Sequence, residues 1–176
     1  MACSVTAGGI QLTYRWFSPI LFFLLFFCIA WDGFLIFWYS MGIGAGGQIG
    51  AAALLFFLFP ICHVAVGIGL TYFVIAGFLN RTWIDATRDE LRVRHGPVPW
   101  KGNKTLAVED VDQLYCSFDG QNSQSSHSYC VSVLLKDGRK EKLISMLHAD
   151  DEARYIERTI EDFLGLEHRP VAGELA

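Results

Sequence analysis

Two long stretches of the chain are almost wholly apolar, whereas polar and apolar positions alternate over most of the remainder. The apolar stretches are residues 19–39 and 52–79. About 20 such residues are needed to cross roughly 30 Å of hydrocarbon, so each stretch predicts a transmembrane helix. The connection, residues 40–51, contains five glycines and no charged residue, and it is too short to form a domain. The pattern therefore predicts a transmembrane helical hairpin over residues 18–80 with a Gly-rich outer loop.

The charges beside the apolar stretches predict the orientation of this hairpin. Arg15 precedes the first helix, and Arg81 and Arg88 follow the second, whereas the loop has no basic residue. Because basic residues are enriched in the cytoplasmic segments of membrane proteins, we expect both termini in the cytoplasm. Residues 1–17 then form a short cytoplasmic N-terminal segment. A signal peptide is not expected, because the apolar stretch is too long, no small-residue cleavage site follows it, and a second span comes next.

Two ionisable side chains interrupt the predicted spans. Asp32 is expected about 10 Å from the outer end of its helix and His63 about 16 Å from the same side, at 1.5 Å per residue. A carboxylate inside a membrane is costly and indicates function by default. Three interpretations stay open at this point. The two residues form a hydrogen bond that sets the register of the hairpin, they contact a partner helix, or they relay protons or bind a cofactor.

The second apolar stretch contains residues that shape helix packing. Pro60 predicts a kink, because proline leaves a carbonyl one turn earlier without its amide partner. Small residues let helix backbones approach closely, so they predict a packing surface, either within the hairpin or on a larger complex. The small residues singled out for this contact are Gly67, Gly69, Ala76 and Gly77.

The second half of the chain predicts a small α+β, mainly β-rich, domain over residues 81–166. Short strands are predicted near residues 82–86, 91–95, 105–108, 111–117, 129–136 and 140–144. Residues 150–164 carry apolar side chains at helical spacing and predict a C-terminal helix. Several antiparallel strands followed by one amphipathic helix are typical of a pleckstrin-homology-like (PH-like) barrel. Residues 167–176 are expected to be a tail.

Charge is unevenly distributed, which bears on partners and solubility. Only 18% of the residues are charged, against about 25% in an ordinary soluble domain, so a soluble monomer is excluded. Residues 81–104 hold six basic and three acidic side chains, whereas residues 105–176 hold seven basic and fourteen acidic ones. The first segment is expected to lie against anionic lipid headgroups, and the acidic remainder argues against nucleic acid as a partner. The predicted membrane-surface residues are Arg81, Arg88, Arg92, Arg94, Lys101 and Lys104.

No pattern in the sequence indicates catalysis. There is no phosphate loop, nucleophile elbow or HExxH pair. The five cysteines include no CxxC pair and have no histidine at zinc-ligand spacing. We therefore expect a protein that is not an enzyme, with no metal site and no cofactor, and leave open a bound lipid or pigment at the hairpin.

Three short segments, Leu91–Asn103, Leu134–Arg139 and Arg169–Glu174, resemble an uncharacterised group of bacterial membrane proteins that carry a two-helix hairpin and a small PH-like cytoplasmic domain. The layout also resembles, more loosely, the photosystem I assembly protein family of plastids and cyanobacteria. These resemblances imply a bacterial inner-membrane location. They also imply a role in the assembly of a membrane complex, photosynthetic or otherwise bioenergetic, through protein–protein interaction.

Three classes of function remain, in descending order of support. The first is a non-catalytic accessory or assembly subunit that packs its hairpin against a larger integral membrane complex. The second is a membrane-surface or regulatory module whose PH-like domain binds lipid headgroups or a cytoplasmic partner. The third is a membrane enzyme or transporter working through Asp32 and His63, although two spans are too few to enclose a pathway.

Overall fold

The computed structural model divides into two compact units. One unit is Trp16–Asn80, and the other combines Met1–Arg15 with Arg81–Ala176. The structure describes residues 2–6, 8–44, 56–119, 128–147, 149–171 and 173–175. The first unit is helical and the second is β-rich, as the sequence predicts for the two halves of the chain. The boundary differs from the predicted one at the N-terminus, where the first residues belong to the β-rich unit.

The helical unit contains two antiparallel helices, α1 (Ile20–Gly44) and α2 (Ile61–Leu79). Helix α1 continues five residues beyond the predicted end. A helical turn at residues 56–58 and a turn at residues 59–60 precede α2. The helix is therefore interrupted at Pro60, the position at which a kink is predicted. The centre of the Gly-rich loop and the predicted start of the second span, residues 45–55, lie outside the described residues.

Both helices are apolar around their full circumference, not along one stripe. Phe26, Ile36 and Ile43 on α1 are 71–73% exposed, and Ile68 on α2 is 67% exposed. In water, contiguous apolar surface of this extent would drive association. Each span is long and apolar enough to cross a bilayer. Length, composition and exposure together support membrane association of this unit.

Backbone pairing and aromatic packing close the open end of the hairpin. The Trp16 N–H donates to the Asn80 carbonyl oxygen at 3.3 Å. The rings of Phe17, Phe22 and Phe78 lie with their centroids 5.5–5.8 Å from one another. The two ends of the helical unit are therefore held together directly before and directly after the helices.

The β-rich unit contains a five-stranded antiparallel sheet in the order β1-β2-β3-β4-β5. Its strands are β1 (Ala2–Thr6), β2 (Gly9–Arg15), β3 (Arg81–Thr87), β4 (Glu90–Gly96) and β5 (Lys104–Ala107). Strands β2 and β3 are neighbours although the whole hairpin separates them in sequence, and Arg15 pairs with Arg81. No strand is predicted for residues 1–17. In the structure, however, β2 contributes the buried side chains of Ile10, Leu12 and Tyr14 to the core.

A second, three-stranded antiparallel sheet and one helix complete this unit. Strands β6 (Val111–Phe118), β7 (Tyr129–Leu135) and β8 (Lys140–Leu147) pair in chain order. Helix α3 (Asp150–Leu164) has the predicted bounds and packs against strands of both sheets. Its apolar face, Ala153, Ile156 and Ile160, is completely buried. The antiparallel strands and the C-terminal helix are thus confirmed.

The C-terminal tail packs back on the domain instead of extending from it. The Leu175 N–H donates to the Cys116 carbonyl oxygen at 2.9 Å, and the Gln113 amide donates to the Arg169 carbonyl oxygen at 2.5 Å. Arg169 also forms an ion pair with Asp112 at 2.8 Å. The tail therefore follows strand β6 and belongs to the folded unit.

Candidate functional site

Asp32 lies at the midpoint of α1, about 18 Å from either end at 1.5 Å per residue. The prediction placed it closer to the outer end because it ended the helix at Tyr39. The carboxylate is half-buried between the two helices, and its Oδ2 accepts a hydrogen bond from the Thr71 hydroxyl at 2.9 Å. An ionisable side chain therefore lies at the midpoint of a long apolar helix, the position at which ionisable groups are most costly in a membrane span.

Gly67 provides the space for this carboxylate. A Cβ atom at position 67 would lie 2.7 Å from Asp32 Oδ1 and 3.3 Å from Trp31 Cδ1. Distances this short are not accommodated without movement, so any side chain at this position would displace the Asp32 carboxylate and press on the Trp31 ring. Gly67 therefore belongs to the internal seam of the hairpin, one of the two packing roles left open by the sequence.

His63 does not pair with Asp32 in the described structure, which argues against the first of the three interpretations left open, an internal Asp32–His63 hydrogen bond. Its ring stacks on the Trp31 indole with centroids 5.7 Å apart, and the Trp31 Nε1–H donates to the His63 carbonyl oxygen at 3.2 Å. Nδ1 of His63 is buried and has no hydrogen-bond partner among the described residues. The cause is register, because Thr71, eight residues and two helical turns later, is the residue opposite Asp32.

Aromatic side chains of α1 satisfy the carbonyls that Pro60 disturbs. Proline has no amide hydrogen, so the Phe56 carbonyl loses its helical donor. The Trp38 Nε1–H donates to this Phe56 oxygen at 3.2 Å, and the Tyr39 hydroxyl donates to the Phe57 oxygen at 3.2 Å. Because unpaired backbone groups are costly in hydrocarbon, these two bonds stabilise the irregular segment.

An open groove of about 790 Å³ runs along one side of the seam. Its walls are mostly apolar, and the Asp32 carboxylate and the Thr71 hydroxyl are among its polar groups. The lining residues on α1 are Asp32, Leu35, Ile36, Tyr39, Ser40 and Ile43, and those on α2 are Val64, Ile68, Thr71, Tyr72 and Ile75. A mostly apolar groove with a carboxylate in its wall fits an apolar occupant that carries a hydrogen-bond donor at the level of Asp32.

The predicted small residues of α2 separate into two groups. A Cβ atom at Gly77 would lie 2.7 Å from Leu21 Cδ2, and Ala76 is completely buried, so both pack inside the unit. A Cβ atom at Gly69 would have no described atom within 4 Å, so this glycine faces away from the seam. Only Gly69 among these residues is therefore free to contact another helix.

The predicted basic surface is partly neutralised within the β-rich unit. Arg94 forms an ion pair with Asp85 at 2.7 Å, and Lys104 forms one with Glu141 at 3.2 Å. Arg92 lies 3.5 Å from a Glu90 oxygen. The remaining members of the predicted set, Arg81, Arg88 and Lys101, are exposed. Surface ion pairs of this kind contribute about 1 kcal/mol or less, but they reduce the net positive charge available to lipid.

The segment 97–103 is fastened to strand β4 at His95. The His95 N–H donates to Asn103 Oδ1 at 2.8 Å, and the ring Nδ1 lies 2.8 Å from the Thr82 hydroxyl oxygen. Burial lowers the pKa of His95, and a backbone hydrogen bond with Gly102 opposes this effect. The histidine is therefore a neutral structural residue, and the loop that carries the family resemblance forms around it.

We expect the pH dependence of domain stability to report on His95. Because its pKa is lowered in the folded state, its contribution to stability is complete above the unfolded pKa of about 6.5 and is lost as pH falls through the lower folded value. Between pH 7.5 and pH 5, the unfolding temperature of the wild type should therefore fall more than that of His95→Gln. Parallel curves for the two proteins would contradict this assignment.

The fold and the site define the class of protein: two apolar helices long enough to cross a membrane, inserted between neighbouring strands of an antiparallel β-rich unit. No protein-family model matches the chain, and no curated protein matches it in a sequence search.

Proposed function

We propose that this protein is a non-catalytic accessory or assembly subunit of a larger integral membrane complex, and that its hairpin binds a partner transmembrane helix in the groove beside Asp32. The observation that carries the proposal is the mid-helix carboxylate, which among the described residues accepts one hydrogen bond, from Thr71. The family resemblance implies the same role. The partner's identity follows from chemistry: it carries a hydrogen-bond donor at the depth of Asp32.

The carboxylate of Asp32 has more hydrogen-bond acceptor positions than Thr71 can fill, so it needs a second donor. Its two oxygens offer about four acceptor positions, and the Thr71 hydroxyl occupies one of them. The groove opens beside the carboxylate, so lipid chains would otherwise face it without any donor. A serine, asparagine, lysine or arginine side chain from a partner helix would satisfy it, and such polar contacts specify helix association in membranes.

The shape of the groove supports a helix as its occupant. Branched side chains such as Ile36 and Ile68 form its walls. On the same helix but outside the groove lining, Gly69 has no described atom within 4 Å that would block the approach of a second backbone. Lipid tails are as apolar as these walls, so association depends on fit and on polar contacts, not on the hydrophobic effect. A bound lipid or pigment is the alternative outcome of the experiment below.

We infer a bacterial inner-membrane location with both termini and the β-rich unit in the cytoplasm. Two observations support this orientation. Arg15 and Arg81 pair in adjacent strands, so the two ends of the hairpin leave from one side of the membrane. Both are basic, as is Arg88, which favours the cytoplasmic side. The aromatic residues Trp38 and Tyr39 then belong to the outer half of the hairpin.

We propose further that the β-rich unit is a PH-like domain. Strands β2–β5 would form the first sheet, β6–β8 the second, and α3 the closing helix, with β1 as an added edge strand. In an assembly subunit, such a domain provides a rigid cytoplasmic surface for the same complex. The lipid-binding alternative has less support, because Arg92, Arg94 and Lys104 already contact acidic side chains of the unit.

Asp32→Asn is expected to lower the amount of partner that co-purifies in mild detergent by roughly tenfold, because interhelical polar contacts are worth about 1–2 kcal/mol. Quantitative mass spectrometry of the co-migrating proteins measures this. Thr71→Val is the matched control, since it removes the internal hydrogen bond but leaves the carboxylate for the partner. If wild-type protein migrates alone in every mild detergent and native nanodisc, or if only lipid or pigment co-purifies, the assembly-subunit proposal is wrong.

A further inference from the structure

We propose that Glu157, His168 and Glu174 bind one divalent transition-metal ion that fastens the C-terminal tail to helix α3. One ligand atom from each residue lies within 4.8 Å of the other two. Glu157 belongs to α3, whereas His168 and Glu174 belong to the tail. No metal site is predicted from the sequence, because the cysteines and histidines lack the spacing of zinc ligands. This set is formed by carboxylates and one imidazole, and only the returning tail brings it together.

His168 faces carboxylates at both of its nitrogens, but only one nitrogen can bind a given ion. With Nε2 as the ligand, the separation between Nε2 and the Glu174 oxygen fits two ligands of one ion better than a direct hydrogen bond, and Glu157 supplies the third ligand atom within 4.8 Å. Nδ1 lies 3.5 Å from Glu157 Oε1 and 3.4 Å from Glu161 Oε2, and Nε2 lies 3.2 Å from Glu174 Oε1. A charge-assisted hydrogen bond is shorter, about 2.7–2.9 Å. Two ligand atoms on one tetrahedral Zn²⁺ are about 3.3 Å apart, given bond lengths of about 2.0–2.2 Å.

The negative charge of the buried glutamates would be stabilised by a bound cation. The side chains of Glu157 and Glu161 are only 7% and 6% exposed, and their carboxylates share one imidazole. A neutral imidazole carries one N–H, so it cannot donate to carboxylates at both of its nitrogens. A cation bound between such carboxylates would stabilise them.

Neighbouring groups hold the proposed ligands in position. The second oxygen of Glu174 accepts the Val171 N–H at 2.9 Å, and Oε1 of Glu161 accepts the Leu114 N–H at 3.2 Å. Such outer hydrogen bonds orient metal ligands.

A cavity of about 650 Å³ leads to the cluster and provides a path for an ion. Arg154, Arg158 and Asp162 also line it, so the surroundings are of mixed charge and the negative charge is concentrated at the three glutamates. Imidazole with carboxylate oxygens suits Zn²⁺, Co²⁺ or Mn²⁺ better than it suits Ca²⁺ or Mg²⁺, which favour oxygen alone. We therefore expect this site to bind a transition-metal ion.

The test uses full-length protein in detergent, stripped with EDTA, dialysed and titrated with Zn²⁺. We expect one Zn²⁺ per chain, release of protons on binding and a higher unfolding temperature. Co²⁺ in place of Zn²⁺ should give the visible absorption of a nitrogen–oxygen site. His168→Asn and Glu174→Gln should each weaken Zn²⁺ binding at least about tenfold. Glu167→Gln, an exposed neighbour in the tail, is the matched control and should bind normally.

The competing occupant of the cluster is a proton on His168. In that case the stability of the wild type changes with pH but responds neither to EDTA nor to Zn²⁺, and the metal proposal is overturned. It is also overturned if Zn²⁺ and Co²⁺ show no saturable binding, or if His168→Asn and Glu174→Gln bind Zn²⁺ as tightly as the wild type.

Discussion

A fragment of residues 82–176 is expected not to fold, whereas a shortened chain in which the dipeptide Asn-Gly replaces residues 17–79 is expected to fold as a soluble domain. The sequence alone suggests the opposite for the fragment, because it contains every strand that the alternation predicts after the hairpin. The structure shows that β2, from the other side of the hairpin, lies beside β3 within the sheet.

The energetic cost of losing β2 is large compared with the stability of a domain. Ile10, Leu12 and Tyr14 are 8%, 1% and 9% exposed, and each buried side chain contributes about 2 kcal/mol. The fragment would lose roughly 6 kcal/mol of burial, against a total stability of about 5–15 kcal/mol for a domain. It would also expose the unpaired backbone edge of β3, which favours aggregation.

The shortened chain retains these contacts because the hairpin begins and ends at one place. The Trp16 N–H already donates to the Asn80 oxygen at 3.3 Å, and a two-residue Asn-Gly turn joins such a pair in β-hairpins. Far-ultraviolet circular dichroism, thermal unfolding and gel filtration of both proteins measure the difference. A fragment that unfolds cooperatively at the same temperature as the shortened chain would contradict the role of β2.

Gly67→Leu is expected to disrupt the hairpin, whereas Gly69→Leu is expected to leave it intact but to release the partner. The two variants are matched, since they add the same side chain two residues apart on one helix. At position 67 even a Cβ atom would lie 2.7 Å from the Asp32 carboxylate. At position 69 no described atom lies within 4 Å.

The expected size of the first effect follows from overpacking. Forcing extra methylene groups into a packed contact costs about 1–3 kcal/mol, and displacement of the Asp32 carboxylate would also break the Asp32–Thr71 hydrogen bond. Gly67→Leu should therefore lower the unfolding temperature in detergent, and Gly69→Leu should change the stability by about 0.5 kcal/mol or less. Equal stability of the two variants would contradict the placement of Gly67 in the contact between α1 and α2. Normal co-purification of the partner with Gly69→Leu would exclude the Gly69 face of α2 from the partner interface.

Much of the architecture could be predicted from local sequence. The apolar stretches identify both helices because about 20 apolar residues have few other stable structures. Helix α3 has the predicted bounds, since the apolar spacing and Gly165, which adopts φ 67°, mark its face and its end. The turn between β7 and β8 follows in the same way from Asp137 and Gly138. In each case the determining interactions lie within a few residues of one another.

Other features depend on contacts between distant residues. Strand β2 alternates as a strand should, but its partner β3 comes only after the whole hairpin, and no local rule connects them. The partner of Asp32 is Thr71 and not His63, because helix register depends on packing at Gly67 and on where each helix ends. The carboxylate–histidine cluster exists only because the tail returns along β6. Sequence alone therefore determined the two hairpin helices, helix α3 and the strands that follow the hairpin, since those preferences are local, but it missed β1 and β2. Tertiary structure decided which side chains meet, because that depends on register and on chain return over long separations.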